Sequence, residues 1–346
     1  MKIGLAFDLK PEVRPEGLPD DWDEEFDSPA TISAITEAIE KLGHSVILLS
    51  NGRPLVEELL RNPPDLVFNI AEGTGISRSR EARVPAVCEL LGIPCTGPDP
   101  LTAAVALDKS MTRRLAADAG VLIPNGLTLH PPTMPYDGDF SEFPPLLEEL
   151  GIDYPVLVKP VWEGSSKGIR NRCLIETREA LGPMILDLWQ QYGQAVLVEE
   201  FIAGAEVTVA LIGNDPPAIF GMMEVIPRVP SERFLYSLEV KRNYEQLVEY
   251  QCPAQLAFEL QRVLEASCLS VWDALGCRDL ARFDFRIRNG VPYFLEINPL
   301  PGLHPIHSDL VLMAKAMNCP YVELIRLILE AAQSRENHLG PNRLSS

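Results

Sequence analysis

The sequence predicts a protein that begins with a wound α/β domain and continues with strand-rich α+β regions. In the first part, short β-rich runs at 2–7, 45–49 and 65–70 alternate with helical patterns near 29–42 and 54–61. This alternation is typical of a parallel sheet covered by helices. Later in the chain, several strand runs follow one another and indicate a second, strand-rich region. At 346 residues, the chain is long enough for two or three domains.

The composition predicts a soluble, globular protein with small-molecule partners. Hydrophobic residues make up 46% of the chain, and no run approaches the roughly 18 apolar residues of a transmembrane helix. The N-terminus lacks the long apolar region and cleavage site of a signal peptide, so we expect a cytoplasmic location. The net charge of −19 opposes nonspecific attraction to nucleic acid or to an anionic membrane, so we expect neither as a partner.

The cysteines do not form the pattern of a disulfide framework or a metal site. They are odd in number and scattered, without a CxxC pair. This distribution favours reduced cysteines in the core. The seven are Cys88, Cys95, Cys173, Cys252, Cys268, Cys277 and Cys319.

The remaining elements follow from local patterns of apolar, proline and glycine residues. The acidic segment 8–29 is either a solvated loop or a loop that covers a binding crevice, and Ser28-Pro29 predicts the start of the next helix. We predict helices at 79–91, 100–119, 177–192, 253–275 and 320–333. We predict strands at 93–96, 156–160, 196–201, 206–213 and 218–226. The other segments are a proline-rich connection at 130–145, a polar segment without clear periodicity at 227–250, and a disordered tail after 333.

The stretch from Ala281 to Gly302, ARFDFRIRNGVPYFLEINPLPG, predicts a β-hairpin. Asn289-Gly290 is a strong turn signal between two strand patterns. A strict two-residue loop would turn Asp284 away from the acidic face of the second strand. We therefore predict a three-residue loop, 288–290, with a left-handed Gly290 in a bulge that places Asp284 opposite Phe294.

This register places Asp284 on one face with Glu296 and Asn298. Two carboxylates and an amide oxygen suit a hard cation. Mg²⁺ binds few protein carboxylates and takes further ligands from phosphates, so the cluster indicates nucleotide chemistry. The alternative is an ordinary hairpin whose acidic face is solvated.

A glycine–serine loop, residues 163–168 (EGSSKG), follows a strand that contains Lys159. Its small residues allow backbone N–H groups to approach an anion, although the spacing is not that of a Walker A loop, and an ordinary turn is the alternative. Lys109 and Lys241 are further candidates for phosphate contacts, or else surface charges.

Three other candidate side chains lie within the hairpin sequence or directly after it. Arg282 shares a face with the metal residues and could hold a developing oxyanion. His304 and His307 follow the second strand in a proline-containing loop. They are either acid–base groups or residues that cap a helix or shape the substrate site.

Together, these segments resemble the ATP-grasp superfamily and, within it, the D-alanine:D-alanine ligase family. The similarity runs from about Asp65 to Glu330 and is specific because the segments follow the family's order. They are ELLGIPCTGPDPLTAAVALDKSMTRRLAADAGVLIP (89–124), PVLVKPVWEGSSKGI (155–169), VLVEEFIAGAEVTVALIG (196–213), ARFDFR and FLEINPLPGLHP.

The resemblance implies an ATP-dependent ligase that joins a carboxylate to an amine through an acylphosphate. It implies ATP and Mg²⁺, or Mn²⁺ in its place, as cofactors, amino-acid-like substrates, and a homodimer. It matches Lys109, Lys159, Glu163, Ser166, Glu199, Glu200, Ile202 and Glu206 to the nucleotide site, and Asp284, Glu296 and Asn298 to the magnesium ligands. It matches Arg282, Ser165 and Lys241 to the catalytic groups, with Arg282 on the tetrahedral intermediate and Ser165 on the first substrate.

The departures from the family concern the substrate-binding segments. The family's first-strand loop carries a glutamate for the substrate amine, whereas here the strand ends in Asp8, and Glu25 is a loose replacement. The family's histidine-glycine-glutamate-aspartate-glycine segment is replaced by residues 69–86, where Glu72 or Glu81 could substitute. The tyrosine common after the mobile-loop lysine is replaced by Arg242, with Tyr244 two residues later.

The resemblance also implies an ATP-grasp fold, in which an N-terminal wound α/β domain precedes two α+β domains that clamp ATP. We expect an N-terminal domain at 1–108, a central domain at 109–200, a C-terminal domain with the magnesium site at 201–333, and a tail at 334–346. D-alanine-like substrates are the first hypothesis for function. A ligase of natural-product or peptide-tailoring metabolism with other substrates, and a non-catalytic ATP-binding module, are the alternatives.

Overall fold

The computed structural model describes residues 1–13, 15–132 and 143–339, and within them the strands form three sheets. The strands are β1 Lys2–Ala6, β2 Ser45–Leu49, β3 Leu66–Asn69, β4 Gly126–Leu129, β5 Val156–Pro160, β6 Leu174–Ile175, β7 Val196–Glu200, β8 Ala205–Ile212, β9 Ala218–Pro227, β10 Val248–Gln251, β11 Leu280–Arg288 and β12 Val291–Asn298. The α-helices are α1 Pro29–Lys41, α2 Gly52–Arg61, α3 Arg83–Leu91, α4 Pro100–Leu107, α5 Lys109–Asp118, α6 Phe143–Glu149, α7 Arg178–Tyr192, α8 Leu238–Arg242, α9 Tyr244–Leu247, α10 Phe258–Leu275, α11 Asp309–Ala316 and α12 Tyr321–Leu339. No helix in these ranges is both long enough and apolar enough to cross a membrane.

The N-terminal sheet is parallel, in the order β2-β1-β3, and has helices on both faces. On one face, Ile3 and Leu5 pack in a cluster with Ile35 of α1. On the other, Leu49 and residues of β3 pack with Leu55 of α2. The wound α/β arrangement predicted from the alternating pattern is therefore confirmed for this part of the chain.

Two predicted elements in this region are wrong in detail. Residues 93–96 do not form a strand but touch β3 through a single bridge at Cys95, because Pro94 has no N–H for a longer ladder. The helix predicted at 100–119 is two helices, α4 and α5. Asp108 separates them, and its carboxylate caps the N-terminus of α5.

The central sheet is antiparallel, in the order β4-β7-β5-β6, and α7 covers it. The sequence does not predict β4 or β6, which have only four and two residues. The predicted connection at 130–145 lies partly outside the described residues, which omit 133–142. Its last residues form the start of α6, where Pro144 and Pro145 occupy the first turn and need not donate a backbone hydrogen bond.

The C-terminal sheet has the order β10-β9-β8-β11-β12, and α5 and α10 pack against it. The polar segment 227–250 contains more regular structure than the sequence indicates, namely α8, α9 and β10. These elements are held by a small cluster of Val225, Val240 and Val248. The short helix α11, which packs against β9, is also missing from the sequence prediction.

The last helix continues six residues beyond its predicted end at 333 and reaches Leu339. Its C-terminal part is anchored because the Arg335 guanidinium lies 3.0 Å from the carboxylate of Asp279, which is fully buried. The first residues of the predicted tail are thus helical. Residues 340–346 lie outside the described part of the chain.

The hairpin forms, but its register differs from the predicted one. Arg288 pairs with Val291, so the turn is a strict two-residue loop, Asn289-Gly290, with both residues left-handed. The extra residue is Leu295, which forms a bulge within β12. This bulge, rather than a longer turn, brings Asp284 opposite Glu296, so the predicted pairing of Asp284 with Phe294 is wrong.

A buried ion network attaches the acidic segment 8–29 to the glycine–serine loop 163–168. The Arg80 side chain is 1% exposed, and its guanidinium lies 2.6 Å from Glu25 and 3.4 Å from Glu163. Lys167 lies 3.2 Å from Glu25 and 2.5 Å from Glu163. Burial acts to raise the pKa of Glu25, but Arg80 and Lys167 outweigh it and hold this pKa below its usual value. Glu25 is therefore an ionised structural partner.

The acidic segment also contacts the backbone of the loop at both ends. The N–H of Gly164 donates to Glu25 at 2.5 Å, and the N–H of Gly168 donates to Asp21 at 3.0 Å. Asp21 is fully buried and also accepts from the hydroxyl of Tyr192 at 2.8 Å. Of the two alternatives for residues 8–29, the structure supports a loop packed over a crevice.

Replacing Arg80 should destabilise the protein more than replacing a neighbouring surface arginine. In Arg80→Gln, Glu25 and Glu163 lose a buried counter-charge, which should lower the free energy of unfolding by about 3–5 kcal/mol. Arg83→Gln is the matched control, because Arg83 is exposed and donates only to the carbonyl oxygen of Thr74. Its effect should stay within about 0.5 kcal/mol. Urea unfolding followed by tryptophan fluorescence measures both, and equal effects would contradict the structural role of Arg80.

Candidate active site

Two cavities meet at the hairpin. The larger, about 480 Å³, lies between the carboxyl ends of the N-terminal strands, the glycine–serine loop, the 227–250 segment and the hairpin. The smaller, about 70 Å³, lies between the central sheet and the C-terminal sheet. The residues that line both are Tyr236, Lys241, Arg282, Glu296 and Asp309. These five residues form a wall that the two cavities share. A group in either cavity can therefore contact it.

The three predicted metal ligands lie together on this wall. Asp284 and Glu296 are directly opposite each other on β11 and β12. The amide nitrogen of Asn298 lies 3.1 Å from Asp284, and the hydroxyl of Thr208 donates to the other Asp284 oxygen. The predicted shared face is thus present in the structure, although the bulge produces it.

Lysines surround Glu296. The Lys109 ammonium lies 3.1 Å from the Glu296 carboxylate and also donates to the carbonyl oxygen of Glu163. Burial acts to raise the pKa of Glu296, but Lys109, Lys159 and Lys241 outweigh it and lower this pKa to about 2. Glu296 is therefore ionised at neutral pH, as a metal ligand must be.

The donor set of the hairpin fits a magnesium ion. In the ranges that the structure describes, no three His, Cys, Asp or Glu side chains form a metal-binding cluster. The hairpin instead offers two carboxylates and one amide, and the neighbouring strand β8 adds the hydroxyl of Thr208; all have oxygen donors. Mg²⁺ keeps several waters and binds few carboxylates alongside substrate phosphates, so this small oxygen set is chemically adequate.

Arg282 is held between two carboxylates where the cavities meet. Its guanidinium lies 2.8 Å from Asp284 and 3.2 Å from Asp309. Burial acts to lower the pKa of Arg282, but these two carboxylates outweigh it and raise this pKa above its usual value. The fixed fork of the guanidinium could bind oxygens that develop negative charge.

The smaller cavity collects most of the predicted nucleotide-binding residues. Those that line it are Lys159, Ser166, Glu199, Glu200, Ile202 and Glu206. Glu199 lies 2.6 Å from both Lys159 and Arg113, and Glu200 pairs with Arg288.

Glu206 lies 3.0 Å from Arg286. Burial raises the pKa of Glu206, although Arg286 opposes the shift. The cavity thus combines acidic side chains with apolar walls, as a nucleoside site requires.

The larger cavity contains two of the predicted nucleotide-binding residues, Lys109 and Glu163, together with Ser165, which was predicted to orient the first substrate. Lys109, Glu163 and Ser165 line it, and the Glu163 carboxylate takes part in the Arg80 network. Ser165 and Ser166 both have left-handed backbone, with φ of 49° and 58°. Two consecutive non-glycine residues in this region are strained, and such strain concentrates at functional sites. The loop is therefore not an ordinary turn.

The histidines lie in the larger cavity as a stacked pair. The rings of His304 and His307 are 3.6 Å apart between centroids. Burial lowers the pKa of both, and the neighbouring ring adds to the effect at His304. The backbone N–H of His304 donates to Ser308, the residue before α11. Their position fits a role in shaping the substrate site.

Sequence reasoning missed several residues of the site. Tyr236 and Asp309 line both cavities, and the Tyr236 hydroxyl lies 2.5 Å from that of Tyr250. Arg286 could have been found, because the two-residue period of β11 puts it on the face of Arg282 and Asp284. Tyr236 and Asp309 carry no such signal, since they come from a polar segment and from an unpredicted helix.

Comparisons with known proteins identify relatives of this chain. A family model described as D-ala D-ala ligase C-terminus matches residues 137–330. "Uncharacterized protein y4sG" from Sinorhizobium fredii is 33% identical over 311 residues, covering 87% of each chain. "D-alanine--D-alanine ligase" from Desulforudis audaxviator is 31% identical over 305 residues, covering 87% of this chain and 92% of that protein.

A solved structure shows the same fold. The crystal structure of D-alanine–D-alanine ligase from Bacillus anthracis, complexed with ATP, has a TM-score of 0.71 at 20% identity and covers 98% of this chain and 99% of that one. The predicted ATP-grasp fold is confirmed by this likeness. The family inferred from the ordered motifs is also confirmed: the chain belongs to the D-alanine–D-alanine ligase family of ATP-dependent, ADP-forming ligases.

Proposed function

We propose that the protein joins the carboxylate of one amino-acid-like substrate to the amine of another, through an acylphosphate and with release of ADP. The observation that carries the proposal is that the two cavities meet at Arg282, Glu296 and Lys241. A nucleotide in the smaller cavity would direct its terminal phosphate towards this wall. A carboxylate in the larger cavity would reach the same place, which is the arrangement that phosphoryl transfer needs.

The side chains around the wall have distinct proposed roles. Lys109, Lys159 and Lys241 neutralise phosphate charge, and the loop at 163–168 covers the phosphates. Arg282 stabilises the oxyanion formed when the amine attacks the activated carboxyl carbon. Ser165 orients the first substrate, since it lines the larger cavity next to this wall. ATP supplies the phosphoryl group that activates the carboxylate.

Asp284, Glu296 and Asn298 would hold Mg²⁺, or Mn²⁺ in its place. The ion would neutralise charge on the phosphates during transfer. The support is the ionised Glu296 and the oxygen donors of the paired strands. Arg282 and Lys109, which now contact these carboxylates, could then turn towards the substrate and the phosphate.

A specific observation favours substrates other than D-alanine. Asp8, at the end of β1, accepts hydrogen bonds from the Asn51 amide and from the backbone N–H of Gly73 at 2.6 Å. Glu25 is occupied by Arg80, Lys167 and the loop backbone. Asp8, in which the first strand ends, and Glu25, the loose replacement for the family's amine-binding glutamate, therefore both have structural partners. The second candidate is thus a ligase of natural-product or peptide-tailoring metabolism.

The third candidate, a non-catalytic ATP-binding module, is less well supported. Binding a nucleotide does not require an arginine held at a reaction centre, and Arg282 is held there by the buried Asp284 and the partly exposed Asp309. We also propose the domain division at 1–108, 109–200 and 201–333, a cytoplasmic location, and a homodimer. The acidic net charge of −19 supports small-molecule partners over nucleic acid or membrane.

The direct test is mass spectrometry of the purified protein after incubation with Mg-ATP and a mixed pool of D- and L-amino acids. We expect ADP together with a condensed product. A product that contains only D-alanine would support the family's usual substrate, and a different product would support the second candidate. Nucleotide binding without ADP or product would favour the non-catalytic module.

Asp284→Asn should abolish turnover without unfolding the protein. The change removes a charge from the proposed metal site, so ADP formation should fall by roughly 100-fold or more. Asp273→Asn is the matched control, because Asp273 is exposed on α10. Initial rates of ADP release at saturating Mg²⁺, with circular dichroism as a check of folding, measure the effect. Undiminished turnover in Asp284→Asn would rule out the metal assignment.

Arg282→Lys should separate chemistry from nucleotide binding. Lysine keeps the positive charge but lacks the planar fork that contacts two oxygens at once. We expect kcat to fall by about 100-fold while the dissociation constant for ATP changes by less than about threefold. Arg262→Lys, at an exposed position on α10, is the control. Steady-state kinetics and equilibrium nucleotide titration check the prediction, and a loss confined to ATP binding would contradict it.

A further inference from the structure

One side of the larger cavity lies at the carboxyl ends of β1 and β3 and carries several carboxyl groups. We call this side the acidic wall. Its members are Asp27, Asn69, Glu72 and Glu81. Asn69 is the last residue of β3, and Asp27 is held at the end of β1, where its N–H donates to the carbonyl oxygen of Asp8 at 2.8 Å. In wound α/β sheets, ligands bind at this edge.

Two buried polar atoms of the acidic wall have no partner among the described residues. Asn69 is 3% exposed and lines the cavity, yet its Nδ2 makes no hydrogen bond. The Oδ2 atom of Asp27 is likewise buried and without a partner. Buried donors and acceptors are nearly always satisfied in folded proteins. These atoms therefore point to a ligand that accepts a hydrogen bond from Asn69 and offers positive charge to the carboxylates.

The cationic side chains near the acidic wall already form ion pairs with other carboxylates. Arg80 contacts Glu25 and Glu163, and Lys109 contacts Glu296. In the described part of the chain, no ion pair involves Asp27, Glu72 or Glu81. The charged groups that act on these three carboxyls are Asp8, Glu25, Arg80 and Lys109, together with the three themselves.

The protonation state of the acidic wall supports the same conclusion. Burial raises the pKa of Asp27 to about 8, with Asp8 adding to the shift, and raises that of Glu81 to about 7 against the opposing Arg80. Burial and Glu81 raise the pKa of Glu72 well above its usual value. Near neutral pH Asp27 and a fraction of Glu81 hold protons that a cationic ligand would displace to solvent.

We propose that the acidic wall binds a cationic side chain of the substrate, so that the enzyme ligates an amino acid with a second ammonium or guanidinium group instead of alanine. A single α-ammonium matches one carboxylate, whereas the acidic wall offers three. The Asn69 Nδ2 is a donor, so it would face an acceptor atom of the same ligand and not its cationic group. The inference rests on the proposed ligase function, because it assigns the substrate class of that site.

The test uses pairs of amino acids that differ only in the side-chain ammonium. D- and L-ornithine are compared with D- and L-norvaline by calorimetric titration of the full chain at pH 7.5, in two buffers with different ionisation enthalpies and without ATP. We expect ornithine of one hand to bind at least about tenfold more tightly than norvaline of the same hand. The heats should differ between buffers, because binding releases protons.

Variants connect this preference to the acidic wall. Glu72→Gln and Glu81→Gln keep side-chain size and should each reduce the preference to less than about threefold. Glu89→Gln is the matched control, since Glu89 is exposed on α3 outside the cavity. If Glu81→Gln fails to fold, Asp27→Asn takes its place.

The outcomes separate this inference from the ligase proposal. The assignment of the acidic wall would be overturned if ornithine and norvaline bind equally, or if neither binds at millimolar concentration. It would also be overturned if the glutamine variants keep the preference for ornithine. ADP release is measured separately with the same amino acids. Selective ornithine binding without ADP formation would support the acidic wall and count against the ligase reaction.

Discussion

The two-residue period of β11 is the constraint on which the candidate active site depends. Alternate side chains from Ala281 to Ile287 are buried in the core under α10. Because neighbouring residues of a strand face opposite ways, this burial holds Arg282, Asp284 and Arg286 on the cavity side. A slip of one residue would exchange the two faces. The hydrophobic core therefore positions the charged groups, and the Leu295 bulge aligns the second strand with them.

Buried charge has a second organising role, through the Arg80 network. Isolated charges are costly to bury, so the network is stable only if its partners stay together. Arg80, Glu25 and Glu163 come from three separate segments, one of which carries the strained serines. The acidic segment thus holds the glycine–serine loop close to the hairpin. Part of the order needed for nucleotide binding is already present in the fold, which reduces the entropy lost on binding.

Local patterns in the sequence were sufficient to predict most helices and strands, but they were not sufficient to predict the contacts between them. The strands at 45–49 and 156–160 have the predicted ends, and the N-cap at Ser28 accepts from the backbone as expected. The hairpin's shared face was predicted, but its register was not, because a bulge inside a strand leaves no turn signature. Arg80 and Glu25 are 55 residues apart, so no window could connect them. The family resemblance supplied the site residues that local chemistry left ambiguous.

The candidate site has two parts, the hairpin residues and the acidic wall. Their separate positions explain how one family can keep a reaction and change its substrates. The proposed reaction centre lies on β11 and β12, where core packing restricts alternate residues of β11. The acidic wall lies at and beyond the ends of the N-terminal strands, where the side chains of Asp27, Glu72 and Glu81 can change without altering a strand register. On the proposed assignment, the segment 69–86 would set the charge offered to a substrate, and Arg282, Asp284 and Glu296 would keep their places on the hairpin. Substrate choice and chemistry can vary separately because different elements carry them.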